Sequence, residues 1–252
     1  MIIAITNQKG GVAKTTTTGA LVAGLKSRKN NVLAIDLDPQ GNLSYAMKAD
    51  NKNLSSHSLL VGQAQIMNVI QHTLIGDIIP ASPLLSRADI EFDMIGKEYK
   101  LKEALVSIKN NYDFILIDTP PALSILTVNA LTAADSVIIP AQADIFSLQG
   151  IGQLYNTIDT VRKYCNPNLK IKGILLTRHN NRAIINRDIA ETISQTAIKL
   201  DTKIFKTIIR ENIIIKEAHA NQQDIFTYDP KSNAVADYNN FINELLESED
   251  IK

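Results

Sequence analysis

The 252-residue sequence predicts an α/β fold, a doubly wound and mainly parallel sheet with helices on both faces, as a single domain over 1–252. Three observations carry this. Short runs rich in Ile and Val recur without alternating polar positions, helix-length segments separate them, and a glycine-rich turn directly follows the first run.

The predicted strands are residues 2–5, 32–35, 114–117, 137–139, 171–176 and 204–209. Half-exposed strands would alternate apolar with polar residues; these do not, so both faces are covered, as in a parallel sheet. Helices are predicted over 15–29, 101–109, 124–133, 148–164 and 184–199. Tyr228-Asp229-Pro230 marks a turn, after which a closing helix is predicted over 232–246. The polar stretch 51–71 has no periodicity and is expected to be irregular.

Composition excludes several classes. Cys165 is the only cysteine, which leaves no disulfide framework, no Cys-based zinc site and no cluster held by paired cysteines within one chain. No apolar run is long enough to span a membrane, and residues 1–6 lack the basic start of a signal peptide, so a cytoplasmic setting is expected. His57, His72, His179 and His219 are scattered without metal-ligand spacing, and Cys165 has no neighbouring His to activate it.

The chain carries 26 basic and 26 acidic residues, a formal charge of zero. That balance is uneven along the chain. Residues 162–216 hold 12 basic and 4 acidic residues, whereas residues 217–252 hold 2 and 8. A basic block beside an acidic tail points to a polyanionic partner.

After the first strand comes Asn7-Gln8-Lys9-Gly10-Gly11-Val12-Ala13-Lys14-Thr15-Thr16, then a helix. Glycines let the backbone approach a phosphate, successive amides and the helix start supply positive potential, and Lys14-Thr15 offers an ammonium and a magnesium-ligating hydroxyl. Gln8 and Ala13 stand where the usual loop has glycines, and Lys9 adds a second lysine. Strand 32–35 runs into Asp36-Leu37-Asp38-Pro39-Gln40-Gly41-Asn42, and strand 114–117 into Asp118-Thr119-Pro120-Pro121. Ligands sit at the carboxyl ends of strands in open parallel sheets, so these acids are expected beside the loop, organising magnesium or an attacking water.

Together these residues closely resemble the deviant Walker-A P-loop ATPases and, within them, the small ParA/Soj-type partition ATPases. The resemblance spans nearly the whole chain and includes residues 6–12, 36–42, 117–121, 140–142 and 228–232. It implies ATP and Mg2+ as cofactors and an ATP-dependent sandwich homodimer in which Lys9 reaches the partner's nucleotide. Gly10, Gly11, Val12 and Ala13 would wrap the phosphates. Lys14 would bind the β and γ phosphates, Thr15 would ligate magnesium and Thr16 would support the α phosphate. Asp118 would hold magnesium through water, and Asp38, in the same metal environment, would orient the attacking water. The base is expected near Thr177, Arg178, Ile209 and Arg210.

The same resemblance implies non-specific double-stranded DNA as a partner and a centromere-binding ParB-type protein that stimulates hydrolysis, with the ATPase associated with the nucleoid. Arg182 matches a family arginine that contacts DNA. Lys199, Lys203, Lys206, Arg210 and Lys216 are further candidates, because phosphate contacts need only flexible cations along a surface. The sequence departs from the family at Ala13, at Arg210-Glu211-Asn212 and at Ile214. No helix-turn-helix extension precedes the first strand, so operator binding is not expected.

Two rivals differ in class. A MinD-like ATPase that binds membrane needs a basic amphipathic carboxyl end, but residues 241–250 carry acids. A nucleotide switch with little hydrolysis has no evident need of Lys9, Lys14, Asp38 and Asp118 together.

Overall fold

The first buried run forms β1 (Ile2–Ile5), which leads through a tight loop into α1 (Lys14–Ser27). The next elements are β2 (Val32–Asp36), α2 (Asn42–Ala46), α3 (Ser56–Leu60), α4 (Ile66–Val69), β3 (Gln71–His72), β4 (Asp77–Ile79), α5 (Ala88–Glu91) and α6 (Lys100–Leu105). They are followed by β5 (Phe114–Asp118), α7 (Ile125–Ala133), β6 (Ser136–Ala141), α8 (Ile145–Tyr164) and β7 (Lys170–Leu176). Near the carboxyl end come helices Ile213–Ala220, Ile225–Tyr228 and Asn233–Glu247, the last of which closes the fold. This is a computed structural model, and it describes residues 1–50, 53–91, 94–179, 192–193, 195–198 and 200–247.

The sheet order is β3-β4-β2-β5-β1-β6-β7, parallel throughout except for the antiparallel β3–β4 edge. Successive strand residues point to opposite faces, and each face has its own core. Leu33, Ile35, Ile115, Ile117, Val137 and Ile139 pack beneath α3 to α8. Ile3, Ile5, Ala34, Leu116 and Ile138 pack against α1, α2 and the closing helix. The central strands are thus covered on both sides, which is why they read as continuous apolar runs.

Three expectations need correction. The stretch 51–71 is not wholly irregular: its described residues contain α3 and α4, and β4 just beyond it joins the sheet beside β2. The helix expected over 101–109 ends at Leu105, with a 3-10 turn over Lys109–Asn111. Segment 204–209 is not a strand; it meets β7 through an isolated Ile174–Ile204 bridge near one end and the Ile209 amide on Leu176 O at 2.9 Å at the other. Its middle amides are taken elsewhere, since Glu244 accepts Lys206 N–H at 2.7 Å and Thr207 N–H at 2.9 Å. Phe205 still anchors the segment, lying where a side chain on Gly173 would stand and meeting Phe241 edge-on at 4.9 Å.

Of the helix expected over 184–199, residues 192–193 and 195–198 are helical and the rest lie outside the described residues. Among the described residues, no helix is long and apolar enough to cross a membrane.

Candidate functional site

The chain turns between β1 and α1 over Gly10 to Ala13, with Gly11 (φ 77°) and Ala13 (φ 64°) both in the left-handed region. The loop is held from the β6–β7 side. Asn7 donates its amide to Pro140 O at 2.7 Å and accepts Lys9 N–H at 3.0 Å. Thr177 donates to Val12 O at 3.1 Å, while Gln142 and Arg178 donate to Gly11 O at 3.2 and 3.1 Å. These donors occupy the Gly11 and Val12 carbonyls. The first-turn amides of α1 have no intrahelical acceptor, and Ala13 at the cap supplies no side-chain partner, so that end is suited to an anion.

Strand register delivers the acids. Asp118 lies opposite Ile5 on one side and Asp36 on the other, so β1, β2 and β5 end side by side at the loop. Lys14 is buried between them, its ammonium donating to Lys9 O at 3.2 Å. Burial pulls its pKa below the ordinary value, opposed by the charges of Asp118 and Asp38. Asp118 is fully buried and neither of its oxygens makes a hydrogen bond. Burial pushes its carboxyl well above the usual range, reinforced by Asp36 and opposed by the nearby Thr15 hydroxyl and Lys14.

An unpartnered buried carboxylate is costly, and a hydrated cation would complete it. Among the described residues, no three His, Cys, Asp or Glu side chains could hold a metal by themselves. The donors present, one hydroxyl and carboxylates behind it, fit a magnesium ion that keeps its waters and is completed by phosphates.

Beside the loop is a cleft of about 630 Å³. Of the residues expected in the site, Gly10, Gly11, Ala13, Lys14, Thr15 and Thr16 line it, together with Asp38, Arg178, Ile209 and Arg210. Val12, Thr177 and Asp118 are buried and do not line it. Thr177 therefore supports the loop instead of forming a wall of the cleft.

The departure at residue 211 has a structural partner, because Glu211 accepts from Arg178 at 2.8 Å, which holds the Glu211 carboxyl below its ordinary range. Arg210 is clamped by Asp237, whose Oδ1 accepts Nη2 at 2.6 Å. Tyr238 also lines the cleft, with its hydroxyl 3.3 Å from Thr17 Oγ1. Asp237 and Tyr238 could not be singled out in the sequence, where an acid and an aromatic on a closing helix look like surface and core.

Lys9 stands outside the cleft lining. Its ammonium donates to Gln142 Oε1 at 3.2 Å and pairs with Asp144, the N-cap of α8. Burial works to raise the Asp144 carboxyl, but the Lys9 hydrogen bond and charge and the Ser147 amide outweigh it and hold the carboxyl low. Asn7 and Gln142 lie within segments that carry the resemblance, but their contacts with Lys9 were not readable there, and Asp144 carries no motif signal; the fold brings Gln142 and Asp144 to Lys9.

Of the cations expected to meet DNA, Lys203, Lys206 and Lys216 are exposed, and Lys216 also lines the cleft. Lys203 lies 5.5 Å from the Phe205 ring centre. Arg182 and Lys199 lie outside the described residues.

Residues 1–171 match the family model described as an AAA domain. The chain is 40% identical over 242 residues to the sporulation initiation inhibitor protein Soj of Bacillus subtilis, covering 94% of each chain. It is 38% identical to the chromosome partitioning protein ParA of Myxococcus xanthus, covering 94% of this chain and 84% of that one. Among solved structures, cobyrinic acid a,c-diamide synthase from Mycobacterium smegmatis, with bound ATP analogue and magnesium, superposes with a TM-score of 0.86. Its identity is 32%, with 99% and 96% of the two chains covered.

Proposed function

The chain belongs to the ParA/Soj-type family of partition ATPases, and on that premise we propose that it hydrolyses ATP with magnesium to segregate plasmid or chromosomal DNA. The observation that carries the reading is the convergence of Lys14, Asp38 and the unpartnered Asp118 at the ends of adjacent strands beside a loop suited to phosphate. Magnesium, held by Thr15 and through water by Asp118 in the environment of Asp38, would neutralise charge on the phosphates. Lys14 binds the β and γ phosphates, Thr16 supports the α phosphate, and Asp38 orients the attacking water. Positioning and electrostatics supply the rate, with no covalent intermediate.

In the ATP state two copies form a sandwich dimer, for which Lys9 leaves Gln142 and Asp144 and reaches the partner's phosphates. The dimer binds duplex DNA without sequence preference at the nucleoid. Lys203, Lys206 and Lys216, with Arg182 and Lys199, supply the cations, in keeping with the surplus of basic residues over 162–216. A centromere-binding ParB-type partner stimulates hydrolysis and release.

Co-sedimentation tests the reading, using non-specific duplex DNA and, separately, anionic liposomes, each with ATP, ADP or no nucleotide at several salt concentrations. ATP-dependent, salt-sensitive retention on DNA is expected. Retention on liposomes alone would overturn the partition reading.

A further inference from the structure

The loop that presents Asp38 to the cleft is shaped by a carboxylate that does not line the cleft. Asp36 is fully buried at the end of β2. Its Oδ1 accepts the Asp38 amide at 3.1 Å, and its Oδ2 accepts both the amide and the hydroxyl of Ser44, at 2.8 and 2.7 Å. Its carbonyl accepts Ser56 Oγ at 2.8 Å, and Ser44 Oγ in turn accepts the Ala81 amide at 2.9 Å. The Asp36 side chain thus joins the Asp38 loop to α2, its carbonyl adds α3, and Ser44 extends the link to the chain just beyond β4. Downstream of this knot, the Asp38 carboxylate accepts the Gln40 amide at 3.0 Å, and Gly41, at φ 63°, closes the turn onto Asp38 O at 2.9 Å.

The division of labour between the two oxygens is chemically specific. Three donors converge on one side chain, and a carboxyl group offers an acceptor on each oxygen where an amide offers only one. An amide in the same place could face its oxygen to Ser44 only by turning its NH2 against the Asp38 N–H, and two donors would then oppose each other. Burying an ionised carboxylate is expensive, and stability alone would be served as well by apolar side chains of similar volume. What the carboxylate adds is a fixed path for the main chain at Asp38.

We propose that Asp36 is a positioning residue for hydrolysis, which holds the Asp38 main chain so that the Asp38 carboxylate faces the attacking water. It touches neither nucleotide nor metal in this role. The inference rests on the ATPase reading above and extends it to a residue outside the cleft. It separates Asp36 from Ser44: Ser44 binds the opposite oxygen and carries the link to Ala81, so its hydroxyl matters for packing, whereas Oδ1 of Asp36 is the acceptor of the Asp38 amide.

The test compares Asp36→Asn and Ser44→Ala in the full-length protein with magnesium and ATP. It reads turnover at saturating ATP in the presence of DNA and partner, equilibrium ATP affinity, and hydrogen exchange at the Asp38 amide. For Asp36→Asn, kcat is expected to fall by about a hundredfold while the ATP Kd stays within about twofold, and the Asp38 amide exchanges faster. For Ser44→Ala, turnover stays within about threefold of wild type and the Asp38 amide remains protected, because its acceptor is intact.

Unchanged turnover in Asp36→Asn, a parallel loss of ATP affinity, or equal slowing in Ser44→Ala would each overturn the positioning role. So would an unprotected Asp38 amide in the wild type, a readout that stands even if Asp36→Asn does not fold. A wild-type protein that shows no turnover overturns the ATPase reading and the positioning role together, whereas normal wild-type turnover with an unaffected Asp36→Asn overturns the positioning role alone.

Discussion

Arg210 and Asp237 form a two-pronged pair: Nη2 donates to Oδ1 at 2.6 Å, Nε donates to Oδ2 at 3.0 Å, and the Arg210 amide donates to the same Oδ2 at 3.0 Å. The arginine is therefore bound to the closing helix through both its side chain and its main chain. Asp237→Asn is expected to cost about 1–3 kcal/mol, measured by denaturant unfolding, and to weaken ATP binding as that wall of the cleft loosens. Arg210→Ala should leave the salt dependence of DNA binding unchanged. Lys206→Ala, at an exposed cation, should lower the magnitude of the slope of log K against log salt by about one. A lowered slope in Arg210→Ala would show that this arginine meets DNA despite its pairing.

Lys14 and Asp38 are expected to divide binding from turnover. Lys14→Ala is expected to weaken ATP affinity about a hundredfold, because a charge-assisted contact to phosphate is lost. Asp38→Ala keeps ATP affinity within about threefold and accumulates ATP-bound dimers, while turnover falls by about a hundredfold or more. Equilibrium nucleotide binding, sizing with ATP and phosphate release separate the two. Fast hydrolysis by the Asp38 variant would refute its role.

Ala13 occupies a backbone conformation that costs a non-glycine residue about 1 kcal/mol, with φ at 64° and ψ at 30°. Ala13→Gly relieves that strain, offset in part by the greater freedom of glycine in the unfolded chain. The expected result is a melting temperature equal to wild type or up to about 3 °C higher, whereas Ala13→Val, β-branched, should lower it by several degrees. Differential scanning calorimetry of the three proteins measures the order.

Glu244 makes stability depend on pH. Burial works to raise its carboxyl, but the amides of Lys206 and Thr207, the Thr207 hydroxyl and the charge of Lys203 hold it below the ordinary value. A carboxyl depressed in the folded state contributes stability above its unfolded pKa of about 4.3 and loses it as pH falls through the folded value. Glu244→Gln leaves one of the two amides facing an NH2 group and should cost about 1–2 kcal/mol at pH 7. The gap between wild type and variant should shrink below about pH 4, and a gap constant from pH 7 to pH 3 would contradict this account.

Much of the fold was legible because buried parallel strands announce themselves: β1, β2, β5, β6 and β7 all fall on Ile- and Val-rich runs. β4 was missed because three residues after Gly76 carry too little pattern. Segment 204–209 misled for the opposite reason. Its composition is that of a strand, yet a carboxylate 38 residues downstream in the chain takes the amides a ladder would use. In the site, the loop and the acids were readable because backbone geometry and strand ends fix them locally. The partners Asp144 and Asp237 were not, since their roles exist only once distant segments meet.

The seam between α1 and the closing helix leaves no slack. A methyl at Gly24 would lie 2.3 Å from Ile242 Cδ1, Thr17 meets Tyr238, and Arg28 donates to both Asn239 and Asn243. The helix that begins at the phosphate loop and the helix that carries Asp237 and Glu244 therefore behave as one strut. Asp237, beside the cleft, accepts the Arg210 amide, and Glu244, further along the same helix, accepts those of Lys206 and Thr207. The first turn of α1 at the cleft and the main chain from Lys206 to Arg210 therefore rest on the same helix, and the wall of the cleft and the exposed Lys206 share one support.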